Sequence, residues 1–328
     1  MPLSSITDYR RRFLASTVDA AFATLSHLGR RSPLYRPHRL GLRVDRDLRY
    51  GPLPAHTLER WSPRTVEGAP VAIYLHGGGF RAMSAATHWV MSQQLARMGL
   101  LVYNVNYRLA PQHRAPAALE DAALALPWIA EDARRCGADT DRMVFTGESA
   151  GGNLSLALGL CCLQRRPEPF AARLFDAGIV PRAMIPACGV LQVSDVERFR
   201  GHPWAPWPFL EAIRAVSSAY LPPDHPIPAL ADPLLLIEQS PRLDRPPPPI
   251  FLPVGGADML VEDSRRAATA WSRLGGEATC TVYPYQPHAF QALVFLPAAR
   301  RCWSDQRAFL ARSLGLPPAS SPPGTAAP

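Results

Sequence analysis

The run Met143-Val144-Phe145-Thr146-Gly147-Glu148-Ser149-Ala150-Gly151-Gly152-Asn153-Leu154 decides how this chain folds. Met143–Thr146 reads as a strand, and Asn153–Leu163 repeats apolar residues at helical spacing. Between them lies G-x-S-x-G. A strand that turns directly into a helix forces the central residue of the turn into a strained backbone conformation, and flanking glycines let the two elements pass closely. The serine hydroxyl is then held above the end of a sheet. The next helix aims its free N–H groups and positive dipole end at the same spot.

A serine hydroxyl is a poor nucleophile alone. It needs a base for its proton, an acid to orient that base, and donors for a developing oxyanion. Of the nine histidines, His288 fits the base best. It follows the strand pattern Ala278–Tyr283, within Gln286-Pro287-His288-Ala289-Phe290, and precedes the last helical pattern. The acid should end the preceding strand, and Pro253-Val254-Gly255-Gly256-Ala257-Asp258 offers a strand, a glycine turn and a carboxylate. Glu262 and Asp263 are the rival carboxylates; they sit at a predicted helix start, where capping and dipole complementation explain them. Upstream, His76-Gly77-Gly78-Gly79-Phe80 follows the strand Val71–Leu75. Three glycines let backbone N–H groups approach a ligand unobstructed, as in an H-G-G-G oxyanion loop. The order Ser149, Asp258, His288 is that of α/β-hydrolases and differs from that of chymotrypsin-like and subtilisin-like proteases.

The rest of the chain agrees. Strand patterns recur at Leu42–Arg49, Thr57–Ser62, Val71–His76, Leu100–Asn106, Met143–Gly147, Ala183–Ala187, Ile250–Val254 and Ala278–Tyr283. Helical patterns fall at Ala86–Met98, Ala117–Ala133, Asn153–Leu163, Pro208–Tyr220, Glu262–Leu274 and Pro297–Leu314, with Pro127 expected to kink the second. This alternation predicts an α/β fold: a mostly parallel eight-stranded sheet with helices on both faces. Two segments break it. One is an N-terminal helical region over 1–40; the other is a Pro- and Trp-rich insertion over 190–248, too long for a bare loop and expected to form a small subdomain or lid. They flank core parts 41–189 and 249–314, and the Pro/Ala/Ser/Gly tail 315–328 is expected to be disordered.

These residues resemble the hormone-sensitive-lipase-like family of bacterial carboxylesterases. The resemblance runs from about Leu42 to Leu314. It includes His76-Gly77-Gly78-Gly79, Tyr107-Arg108-Leu109-Ala110-Pro111, Gly147-Glu148-Ser149-Ala150-Gly151-Gly152-Asn153, Asp258-Met259-Leu260 and His288. It implies a serine carboxylesterase for short- to medium-chain esters, with Gly78, Gly79 and Ala150 as oxyanion donors and His76 holding the glycine loop. The N-terminal helices and the 190–248 insertion would form a helical cap over the acyl pocket. Relatives often pair through the last strand and helix, which admits a homodimer. Two departures stand out: Glu148 replaces the usual aspartate, and the loop around His288 lacks the usual glycines. Candidate pocket residues are Phe80, Trp89, Trp204, Trp207, Phe209, Leu260 and Phe290. Amidase, arylformamidase or lactonase chemistry on the same triad is the nearest alternative. A ligand-binding protein without catalysis is the more distant one, and plant hormone receptors of that kind have lost the histidine that this chain keeps as His288.

Composition excludes other classes. The net charge of +8 comes from arginine alone, since the chain has no lysine, and no dense basic run with aromatics suggests nucleic-acid binding. No apolar run is long enough to span a bilayer. The patch between Arg11 and Arg31, interrupted by Asp19 and lacking a small-x-small cleavage site, reads as an amphipathic helix rather than a signal peptide. The six cysteines show neither C-x-x-C pairs nor metal-site spacing, so reduced thiols in a cytoplasmic protein, with no metal or organic cofactor, are expected.

Overall fold

A computed structural model describes residues 24, 26, 28–32, 35, 37–204, 207–223 and 225–316, with only the backbone for 207 and 208. The amphipathic reading of Arg11–Arg31, the tail beyond 316 and the Trp207 side chain therefore fall wholly or largely outside the described residues.

Eight strands form one sheet: β1 (Arg43–Arg49), β2 (Thr57–Ser62), β3 (Pro70–Leu75), β4 (Leu101–Val105), β5 (Asp139–Glu148), β6 (Ala183–Ala187), β7 (Ile250–Gly255) and β8 (Ala278–Tyr283). Their order is β1-β2-β4-β3-β5-β6-β7-β8. β2 runs antiparallel to both its neighbours, and every other pair is parallel. Parallel neighbours need crossovers, and the helical patterns supply them. The helices are α1 (Trp89–Arg97), α2 (Ala117–Arg135), α3 (Ala150–Leu163), α4 (Pro169–Asp176), α5 (Trp207–Tyr220), α6 (Pro233–Gln239), α7 (Val261–Arg273) and α8 (Pro297–Leu314). No helix among the described residues is long and apolar enough to cross a membrane.

Each expected strand is present, but β5 begins four residues early. Its first residues, Asp139-Thr140-Asp141-Arg142, are polar and extend beyond the core, so an apolar run cannot reveal them. α4 was absent from the sequence pattern because it is short and buries only Ala171 and Leu174. α2 continues through the exposed Pro127.

Strand alternation divides the core. Val71, Ile73 and Leu75 of β3 join the cluster under α2, α3 and α7, while Ala72 and Tyr74 join the cluster under α1 and α8. Every residue of α3 is buried, which suits a helix with no polar face. The six cysteines are free thiols. The parallel strands β3, β5, β6, β7 and β8 thus end side by side, and their connecting loops converge above that edge.

Candidate active site

Ser149 leaves β5 with φ +56° and ψ −119° and caps α3. A side chain at Gly151 would overlap the Leu75 carbonyl, and one at Gly147 would run into Gly151, so both glycines permit the close turn. Ser149 N–H donates to Ala187 O at 3.1 Å, which ties the turn to β6. Among the described residues Ser149 Oγ takes part in no hydrogen bond, so the hydroxyl is uncommitted. Its neighbour Ala150 carries the first N–H of α3, which has no intrahelical acceptor.

The glycine loop lies beside this turn. Gly78, Gly79 and Phe80 all take positive φ, at 109°, 58° and 61°. Three supports hold it. His76 Nδ1–H donates to Gly77 O at 2.7 Å, and its ring stacks on Tyr107 at 4.2 Å; burial pulls the His76 imidazole down to about 4, so it is neutral. Tyr107 OH donates to His76 O at 2.6 Å, and Ala110 N–H donates to Phe80 O at 2.8 Å. Arg108 anchors the same strip to α2 through Asp121, at 2.8 and 3.0 Å from Nε. This gives Tyr107-Arg108-Leu109-Ala110-Pro111 a physical role: it pins the glycine loop from below.

Glu148 supplies the third support. Gly77 N–H donates to Glu148 Oε1 at 3.0 Å, and Tyr74 OH donates to Oε2. His88 Nε2 lies 2.7 Å from Oε1. Burial raises the Glu148 carboxyl to about 8 and lowers His88 to about 3, so the two meet as neutral groups. His88 and Tyr74 had no motif to reveal them.

Asp258 follows β7 and is 2% exposed. Its Oδ1 accepts Leu260 N–H at 3.0 Å, and its Oδ2 lies 2.7 Å from His288 Nδ1. The loops bearing the two are joined by Ala257 N–H to Gln286 O at 2.9 Å and Gly256 N–H to Tyr283 O at 2.7 Å. Burial pulls the His288 imidazole down, but Asp258 and the neighbouring Cys188 hold it well above its ordinary value. The loop manages without the usual glycines by placing Tyr285 and Ala289 at φ +59° and +54°. The rival carboxylates serve elsewhere. Asp263 accepts Leu191 N–H at 2.9 Å and binds Arg198 at 2.8 Å, anchoring the insertion, while Glu262 pairs with Arg265 at 2.6 Å in solvent.

The candidate pocket residues do not form one lining. Phe80 and Leu260 are buried in the cluster that holds α2 and α3, and Phe290 packs on Tyr283. Trp89 lies in the opposite cluster, where its Nε1–H donates to Ser26 O at 3.1 Å and its ring meets Tyr35. Trp204 and Phe209 are exposed. α5 nevertheless covers the glycine loop: Tyr220 stacks on Phe80 at 3.7 Å, and a side chain at Gly79 would strike Val216.

Residues 72–292 match the sequence family described as the alpha/beta hydrolase fold. Among curated proteins, Esterase LipU of Mycobacterium tuberculosis is 32% identical over 70% of this chain and 73% of its own length. Esterase LipI of the same organism is 41% identical, but over only 32% of this chain and 34% of LipI; the chain matches about a third of that relative's length. An esterase from the bacterial hormone-sensitive lipase family shares the fold at TM-score 0.72, with 25% identity over 96% of this chain and 100% of the other.

Proposed function

The chain belongs to the α/β-hydrolase fold family, and from that premise we propose that it is a serine carboxylesterase acting on small-molecule esters. The observation that carries this reading is the 2.7 Å bond between His288 Nδ1 and buried Asp258. In the neutral imidazole it fixes the tautomer that leaves a lone pair on Nε2, the nitrogen a general base needs.

In this mechanism Ser149 Oγ attacks the ester carbonyl while His288 takes its proton. Asp258 stabilises the imidazolium. The oxyanion is held by the N–H groups of Gly78, Gly79 and Ala150, the first two of which have no other acceptor among the described residues. His288 then protonates the departing alcohol, and water reverses the sequence on the acyl-enzyme. α5, seated on the glycine loop through Val216 and Tyr220, restricts the space above Ser149 and favours short to medium acyl groups. The 190–248 insertion, together with the N-terminal segment, serves as the cap.

The test is a chain-length series of p-nitrophenyl esters with wild-type protein and Ser149→Ala, together with fluorophosphonate labelling. The wild type should hydrolyse short esters and take the label at Ser149, and the variant should do neither. Wild-type activity in Ser149→Ala would refute the mechanism. A rate peak at long acyl chains would refute the specificity.

A further inference from the structure

Cys188 follows β6 and lies beside the acid–base pair. Its sulfur, a carboxylate oxygen of Asp258 and a ring nitrogen of His288 all lie within 4.8 Å of one another. The three residues come from the loops after β6, β7 and β8, so each sits on a different strand end of one rigid sheet. Cys188 is firmly held: its N–H donates to Pro253 O at 3.0 Å, and its backbone takes φ +36°. Its sulfur also faces Gln291 Nε2 at 3.9 Å and interacts with the His288 side chain. Cys188 and Asp258 are 1% and 2% exposed, whereas the His288 side chain is 40% exposed, so the cluster is walled on two sides and open on the third.

A thiolate, an imidazole and a carboxylate are the donor set of zinc rather than of magnesium or calcium, which prefer oxygen alone. Three protein ligands with one open side match a site in which water completes the coordination. We propose that Cys188, Asp258 and His288 form a binding site for Zn²⁺ or a similarly thiophilic divalent cation, and that its occupation switches the hydrolase off. On binding, the thiol releases its proton to solvent and the His288 ring proton moves from Nδ1 to Nε2 by exchange with solvent, which frees the Nδ1 lone pair for the metal; nothing is oxidised or reduced. Zn–N and Zn–O bonds of about 2.0–2.2 Å require the 2.7 Å pair to open by several tenths of an ångström, and His288 on its exposed loop can move that far. Metal on Nδ1 thus holds the ring in the other tautomer, with its proton on Nε2, where the reaction needs a lone pair. The site stands on its own geometry, whereas its inhibitory effect rests on the carboxylesterase reading.

Co²⁺ is the probe. The full chain, stripped with chelator and kept reduced, is titrated with Co²⁺ alone, and the thiolate-to-cobalt charge-transfer absorption is followed. Wild type and Ser149→Ala should both show the band at one equivalent, and Zn²⁺ should abolish it. Cys188→Ala should lack it, whereas a change at any of the other five cysteines should leave it. In hydrolysis assays, each normalised to its own metal-free rate, Cys188→Ala should need at least about tenfold more Zn²⁺ for half-inhibition, the loss typical even of an outer-shell partner. Circular dichroism establishes that each variant is folded, and Cys188→Ser supplies a second variant if Cys188→Ala is not. Absence of the band in wild type, or its persistence in a folded Cys188 variant, overturns the site. If the band behaves as expected but the wild type hydrolyses no ester, the site stands and the carboxylesterase reading falls. If esters are hydrolysed and the band behaves as expected, but Zn²⁺ does not inhibit, the switch is overturned.

Discussion

His88 Nε2 and Glu148 Oε1 meet at 2.7 Å beneath the glycine loop, and both side chains are almost fully buried. His88 Nδ1 faces Thr87 Oγ1 at 2.9 Å and Ser84 O at 3.2 Å; the Thr87 hydroxyl gives its own proton to Ser84 O, so the Nδ1 proton is donated to these oxygens and Nε2 offers a lone pair. Glu148 must then supply the proton between them, as a neutral carboxylic acid. The same acid accepts Gly77 N–H, so the loop next to Ser149 rests on a proton that a surface carboxyl would have lost.

That protonation has a pH signature. Burial raises Glu148 from its ordinary 4.5 to about 8, so the stability it contributes is complete below about 4.5 and is lost as pH rises through about 8. His88 is lowered from 6.5 to about 3, so its contribution is present above about 6.5 and is lost as pH falls through about 3. Glu148→Gln mimics the neutral acid and cannot ionise. Urea unfolding at several pH values should show its stability gaining on the wild type between about pH 5 and 8. A constant difference across that range would place an ionised Glu148 in the fold.

Asp258→Asn separates orientation from packing. Asparagine can still accept Leu260 N–H, so the melting temperature should stay near that of the wild type. Its amide no longer selects the required His288 tautomer, and kcat should fall on the order of 10⁴-fold, as loss of the orienting acid does in serine hydrolases. Steady-state kinetics beside thermal unfolding check both halves.

Much of this was legible in the sequence, for identifiable reasons. The sheet follows from apolar runs, and Ser149, the triple glycine, Asp258 and His288 lie in short motifs with local geometric demands. What the sequence hides is contact made by topology. Cys188 stands 70 residues before Asp258 and 100 before His288, so no spacing rule places the three together. His88 reaches Glu148 from the N-cap of α1, a helix that packs on β4 and β2. The aromatic candidates scatter because a residue's type does not say which way its helix faces: Phe209 is exposed on α5, while Tyr220 of the same helix is buried against Phe80.

Gly79→Ala tests the oxyanion loop. Its φ of +58° disfavours any side chain, and the new methyl would meet Val216 Cγ2 at 2.6 Å. Loop and α5 must part or the N–H must rotate. Turnover should drop roughly a hundredfold to a thousandfold, the cost of one lost oxyanion donor. A rate within a factor of about three of the wild type would remove Gly79 from that role.

Ala289 offers the converse case. It holds φ +54° beside His288, and a left-handed non-glycine residue costs roughly 1–2 kcal/mol. Glycine relieves that strain but adds freedom to the unfolded chain worth about 0.4–1 kcal/mol. Ala289→Gly should therefore stabilise the protein by up to about 1.5 kcal/mol in chemical denaturation. The Asp258–His288 bond need not change, because Ala289 contributes no side chain to it, so kcat should stay within about twofold. A destabilised Ala289→Gly would mean that the methyl group's packing against the Val254 and Val261 cluster outweighs the backbone strain.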